Sequence, residues 1–459
     1  MRMMLNGLLL LHAVADAQVF DVETRVANRS LLISPQDPPS TISSSGLYSD
    51  SEIRTVSPGI IPYGVNAVLW SDGAYKERFI ALPGTERIEF SARDLWRFPD
   101  GTVLVKNFYL EFDTGDPSSR DLIETRLLVY DGQADKWHGF SYRWADDGSD
   151  AVLLDREATE SYFVLDPRAE DGIREHKHFF PSRPLCDRCH VAEAGSVLGV
   201  NTGQLNGLFD YGAVTENQLH TLNRLGVFTR DIQSELGDLP RMVDPLDESQ
   251  DLDVRARSYL EANCAHCHRP GVIDKADIDL RFETPLERTR ALDRIPTLGS
   301  FDSDDARIIR SGDGLNSSLY KRMLATDSNR MPPLATELID SQSAEVIRRW
   351  IDRIDVKTHV SVDQDLPAGY ALESNFPNPF NASTTIRYRV GRAGPVSLTV
   401  FDAAGQSVRV LVDRFHPPGQ YTTRWDGRND AGQQAASGAY IYRLQAPDQS
   451  LKRKLIQLK

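Results

Sequence analysis

Cysteine is scarce in this chain. There are four in 459 residues, and none stands outside two short frames, CDRCH (Cys186 to His190) and CAHCH (Cys264 to His268). With none left over, a disulfide-dense scaffold is excluded. Long apolar runs are missing too: Leu5 to Val14 is the best of them and falls short of the 18 or so residues a membrane span needs, so no transmembrane span is expected in the mature chain. Positive charge is in deficit. The 52 Lys and Arg against 66 Asp and Glu leave a formal net charge of −14, and no basic cluster outside the last residues offers a groove for phosphates, which sets nucleic acid aside as a partner. No nucleophile elbow, phosphate-binding glycine loop or zinc-protease signature occurs, so hydrolytic and nucleotide-dependent readings lack support and no catalytic residue is assigned.

What is present divides along the chain. A length of 459 residues exceeds one ordinary core of roughly 100 to 200 residues, so several units are expected. Arg2, the apolar stretch and Ala15-Asp16-Ala17 read as a signal peptide, residues 1–17, cleaved after Ala17. Residues 18–45 are polar and rich in Ser and Pro and read as a loose leader. Over 46–168 short alternating runs such as TVLVKNFYLEF and KWHGFSYRWADDG, broken by Asp-Gly turns, predict a β-rich domain; Trp70, Trp96, Trp137 and Trp144 are expected to pack in it. Helical signals then take over. Thr215 with Gln218 reads as a capping box, followed by Leu219, Leu222 and Leu225 on one side. After Ser341, the residues Val346, Ile347, Trp350, Ile351 and Ile354 share one helix face. Residues 357–370 form a linker, and 371–459 return to alternation, predicting a small β-sandwich.

The two frames carry the chemical expectation. In a c-type haem site two thiols add to the vinyl groups and the following His ligates the iron. On that pattern Cys186, Cys189, Cys264 and Cys267 hold two covalently bound haem c groups, with His190 and His268 as iron ligands. A shared zinc site is the alternative, but the stretch 190–263 between the pairs is far longer than the roughly 15 to 20 residues of ribbon sites. The sixth ligand of the second iron is assigned to Met331 in SNRMPPLAT, where two prolines stiffen the loop; Met323, on a helix, reads as core. For the first iron Met242, His178 or its neighbour His176, and His220 remain open, as does an empty position. His266 is expected to face solvent without a role.

Three resemblances extend this. RARSYLEANCAHCHRPG, GDGLNSSLYKRM, RMPPLAT and the closing IRRWIDRI resemble a class I cytochrome c domain over 253–354, which implies Cys264, Cys267, His268 and Met331 as its haem residues. Residues 46–356, through VNAVLWSDGAYKERF, FFPSRPLCDRCH and VLGVNTGQLNG, look like bacterial dihaem c-type cytochromes. LESNFPNPFNASTTIRYRV, WDGRNDAG and KRKLIQLK are similar to type IX secretion sorting domains of immunoglobulin-like fold. The fold expected is therefore multidomain: a β-rich N-terminal domain, α-helical cytochrome c-type haem domains at 169–248 and 249–356, and a C-terminal immunoglobulin-like β-sandwich. The function implied is electron transfer by an exported dihaem cytochrome between extracytoplasmic redox donor and acceptor proteins, for example a dehydrogenase. A peroxidase-like haem enzyme with one open site, or a surface binding protein with a haem redox module, are the alternatives. The secretion machinery is the further partner implied, and the location secreted or cell-surface, otherwise periplasmic.

Overall fold

The computed structural model describes residues 20–50, 54–272, 277–297, 305–333, 336–355, 370–391, 394–416, 419–446 and 449–458. The expected signal peptide and nearly all of the linker lie outside them. Two compact units result, Met1–Val356 and Lys357–Lys459.

In the first unit a short ladder, β1 (Tyr48–Asp50) with β2 (Thr55–Val56), precedes an antiparallel sheet in chain order: β3 (Ile60–Pro62), β4 (Tyr75–Ala81), β5 (Val103–Glu111), β6 (Arg120–Asp131), β7 (Lys136–Trp144) and β8 (Ala151–Leu153). Alternation sends Val103, Val105, Leu127, Val129, Phe140 and Tyr142 to one face and the aligned Ile80, Leu104 and Leu128 to the other. A sheet apolar on both faces needs cover on both. The first face takes it from Ile42 and Leu47, with Leu31 and Ile33 packed alongside. The stretch expected to be a loose leader is therefore pinned, with further bridges from Asn28 to Gly84 and from Thr41 to Val152; its few apolar residues fall where the sheet needs them. The second face is covered by Leu205, Leu219, Leu222, Leu225 and Phe228. Trp96, Trp137 and Trp144 are buried as expected.

A hairpin, β9 (Ala158–Leu165) with β10 (Ile173–Phe180), leads into short elements: α1 (Arg183–Cys186), α2 (Thr202–Leu205), β11 (Leu208–Asp210) paired with β12 (Thr215–Asn217), α3 (Gln218–Arg224), α4 (Leu252–Asn263), α5 (Ser318–Leu324) and α6 (Ser341–Asp352). The expected helical cytochrome domains are not what folds here. Among the described residues strand outweighs helix, 33% against 15%, and the region 169–248 holds α-helices of only 4, 4 and 7 residues. Local chemistry explains this. Asp231, Asp244 and Asp247 take backbone N–H groups two residues ahead, offering the chain turns in place of helix, and Pro240 and Pro245 interrupt what remains. The α3 cap also differs from expectation: Asn217 accepts from Leu219 N, Thr215 lies in β12, and Gln218 instead accepts from Gly64 N. Leu219, Leu222 and Leu225 are buried. The α6 pattern is realised, with Val346, Ile347, Trp350 and Ile351 packed against α4 and Trp350 Nε1 donating to Asp253 at 2.8 Å.

The second unit is the β-sandwich that alternation predicted. Its strands are β13 (Ala371–Leu372), β14 (Thr384–Val390), β15 (Gly394–Phe401), β16 (Ser407–His416), β17 (Gly419–Trp425), β18 (Gly438–Gln445) and β19 (Ser450–Gln457). They form sheets β13-β14-β17 and β16-β15-β18-β19. Ile386, Tyr388 and Val390 of one sheet share a core with Val396, Leu398, Val400, Tyr442 and Leu444 of the other, with Trp425 fully buried among them.

Candidate functional site

Both cysteine frames are built the same way, as a turn closing a helix. α1 ends on Cys186, whose carbonyl accepts from Cys189 N at 3.2 Å and His190 N at 3.0 Å; α4 ends at Asn263, and the carbonyl of Cys264 accepts from Cys267 N at 3.1 Å and His268 N at 2.9 Å. The last carbonyls of a helix lack partners within it, and these turns satisfy them. The first frame is seated on the sheet through β7. A Cβ on Gly139 would lie 2.7 Å from Cys186 Cβ, so only glycine lets Cys186 come this close. The second frame is tied to the loop after β3 by Asn263, which accepts from Trp70 N at 2.7 Å and donates to the Val68 carbonyl at 3.1 Å.

Far apart in sequence, the two frames meet. Cys267, and after it His266, lie close enough to the Cys189 sulfur to favour its thiolate and draw it down to about 4, and Cys189 in turn pushes Cys267 up. Burial pushes Cys264 up to about 12, and it also raises Cys186 although Arg126 lies near. All four cysteines are free. His190 is fixed by Nδ1 donating to the Ser196 carbonyl at 2.6 Å, an arrangement that leaves Nε2 with its lone pair. Burial lowers His190 and takes His268 down to about 4. His266, expected to face solvent, is 8% exposed and lies close enough to Cys189 to favour its thiolate. Its position inside CAHCH was visible in the sequence, but which neighbour it would meet was not.

The other expected ligands lie as follows. Met331 lines a narrow cleft with Trp70, Tyr259, Met323 and Leu338, a lining that does not include His268. Met323 is in the α4–α6 core. Met242 is buried beside Gly203. His178 is engaged by Glu124, Nε2 to Oε2 at 2.7 Å; His176 is buried in the same hairpin; His220 is exposed on α3.

Against known proteins, residues 381–450 match the family model of the FlgD Ig-like domain. Among solved structures the chain is similar to latent PorU from Porphyromonas gingivalis (23% identity, TM-score 0.17, 20% of this chain and 10% of that one). It is similar also to PorZ, a surface component of the type IX secretion system of Porphyromonas gingivalis (22%, 0.15, 20% and 12%), and to FlgD from Xanthomonas campestris (24%, 0.15, 20% and 68%). The chain thus spans about a tenth of PorU and PorZ. No curated protein matches.

These findings correct the cytochrome reading. The family match, over residues 381–450, is to an Ig-like domain. Among the described residues no group of three or more His, Cys, Asp or Glu is placed to hold a metal ion. The frames' side chains are turned to each other and to protein partners: Cys189 to Cys267 and His266, His190 to Ser196. The class I and dihaem cytochrome assignment, its two haem c groups, iron and electron-transfer role, and the haem-dependent alternatives are withdrawn. The redox donor and acceptor proteins, a dehydrogenase among them, fall with it. Among the described residues no helix is long and apolar enough to cross a membrane.

Proposed function

We propose that this is an exported two-part protein, with a working centre of paired thiols in the first unit and a delivery module in the second. The contact of Cys189 with Cys267 carries the first half. Four free thiols gathered by two identical turns, one of them drawn well below the ordinary thiol range by Cys267 and His266, make a place where the chain forms covalent bonds through sulfur, since the thiolate is the reactive form. Cys186, Cys189, Cys264 and Cys267 are its sulfur donors, and His190 and His268 its flanking imidazoles; Met331 lies in the separate cleft with Trp70 and Tyr259. Met242, His178 and His220 are assigned no part in it. Intact-mass measurement of the full chain, recovered from the compartment it is exported to, tests this. A deficit of two hydrogens per bond, taken up by an oxidant of that compartment and restored by a reductant, supports the centre. Four unmodified thiols in every preparation would sink it.

The match of residues 381–450 to an Ig-like domain supports the second half. The sandwich is proposed as the part that the secretion machinery handles, giving a secreted or surface-held protein, or a periplasmic one if it is retained. A reporter fused ahead of residues 357–459 should leave the cell or reach its surface. A reporter that stays inside in a strain that exports the full chain would remove this role.

A further inference from the structure

One face of the first sheet changes character along its length. Below the apolar rows Ile80–Leu104–Leu128, the next cross-strand row is Arg78 opposite Lys106 opposite Arg126, and Lys76 stands one step on, opposite Phe108. Like charges directly opposite on a sheet repel, and three neighbouring strands here carry four cations. Glu124 is the one carboxylate among them. It is fully buried and already held by Arg126 at 2.8 Å and by His178 at 2.7 Å. Among the described residues Lys76, Arg78 and Lys106 make no direct carboxylate ion pair; Asp72 acts on Lys76 and Glu124 on Lys106, each outweighed by burial and the neighbouring cations. Lys76 Nζ donates to the carbonyls of Leu69 and Ala74, and the Phe108 ring lies under both Lys106 Nζ, 5.1 Å from its centroid, and the Arg126 guanidinium, 4.4 Å from it.

The strip is neither core nor open surface. Arg78 is 9% exposed, and Lys76, Lys106 and Arg126 are half-buried. The CDRCH turn lies on this face: Cys186 packs against Gly139, 2.7 Å from where a Cβ would stand, and Gly139 pairs with Leu128, two residues from Arg126 on the same strand; Arg126 and Lys106 accordingly act on His190, and Arg126 on Cys186. Burial, then Arg78, draws Lys76 down to about 7 and Lys106 well below the ordinary lysine range. Cations so crowded are stabilised by an anion, for which the guanidiniums offer forked donors and the ammoniums point charges.

We propose that the strip Lys76–Arg78–Lys106–Arg126 is a binding site for a small anion carrying carboxylate or phosphate oxygens, seated between the sheet and the CDRCH turn. The site stands independently of the sulfur chemistry proposed above.

Citrate and pyrophosphate are the probes, each titrated calorimetrically into the full chain at low ionic strength. Saturable binding of one equivalent is expected. Lys106→Met should weaken it by about ten-fold or more, the scale of one lost charge-assisted hydrogen bond. Preference for citrate marks a carboxylate ligand, and preference for pyrophosphate a phosphate. Without ligand, Lys106→Met should melt higher than the parent, since one repelling charge is gone. Should that variant not fold, Lys76→Met carries the same expectation of weakened binding. The proposal is overturned if the parent binds neither probe saturably, or if the folded variants bind as tightly as the parent.

Discussion

The two units use β-sheet in opposite ways. In the C-terminal sandwich the inward positions of β14, β15 and β18 are mostly apolar or aromatic and none is charged: Ile386, Tyr388 and Val390 meet Val396, Leu398 and Val400, Thr384 is the buried polar exception on β14, and Tyr442 closes the layer by donating to the Glu373 carbonyl. In the first unit one face of a comparable sheet is apolar at one end and carries Lys76, Arg78, Lys106, Arg126 and Glu124 at the other. A sheet that only has to fold buries apolar side chains. One that departs from this keeps charged groups that cost stability, and the departure sits beside the CDRCH turn. The difference separates a module for stability and handling from a unit shaped around a site.

The largest effect that would sharpen the contrast is in the sandwich. Trp425→Ala removes a fully buried ring and should cost about 3–5 kcal/mol. Calorimetry should show the transition of the second unit moving down while that of the first stays in place; a shift of both would break the two-unit picture.

Next comes Glu124→Gln, which leaves Arg126 and His178 without their carboxylate. It should cost about 3 kcal/mol, the lower end for a broken buried pair, read as a lower denaturant midpoint of the first unit. The same group sets a pH dependence. Burial pushes Glu124 up, but Arg126 and His178 outweigh burial and hold it at about 2, against an ordinary 4.5. A depressed carboxylate contributes stability that is fully present above pH 4.5 and is lost as pH falls through about 2. His176, drawn down to about 4 by burial and then by His178, has the same sign, its contribution being lost as pH falls from about 6.5 to 4. Acid titration of the parent should therefore show the first unit weakening in two stages, and Glu124→Gln should abolish the lower one.

Gly139→Val should cost about 1–3 kcal/mol by overpacking against Cys186. It should also expose the thiols, so that the alkylation rate of Cys186 and Cys189 rises; an unchanged rate would mean that the frame is not seated by β7. The smallest effect is expected at Arg349→Ala. This removes a surface pair with Glu248, the two side chains being 41% and 75% exposed, and should alter stability by no more than about 1 kcal/mol.

Much of the fold was legible. Period-two runs located β5, β6, β7 and the C-terminal strands, because alternation between a buried and an open face leaves a direct mark on composition. The α6 face was legible for the same reason at helical spacing. The helical domains were misread because helix signals in 215–250 compete with Asx turns and prolines, and local hydrogen bonding prevailed. The frames themselves were plain, but their assignment to haem rested on spacing, an export signal and resemblance, none of which says what the side chains meet in the fold. His266 was passed over because nothing in CAHCH says which side of the turn meets another segment.

By itself, then, the sequence determined the local things: where strands run, that all four cysteines sit in two like turns, that the last unit is a sandwich, and that no long apolar helix is encoded. Only the tertiary structure decided that Cys189 meets Cys267 and His266, that Gly139 gives Cys186 its seat, and that Arg78, Lys106 and Arg126 form a single row. Periodicity is a property of neighbouring residues and survives in the linear text. Register between strands, and the meeting of turns from distant parts of the chain, follow from packing that no short stretch of sequence contains.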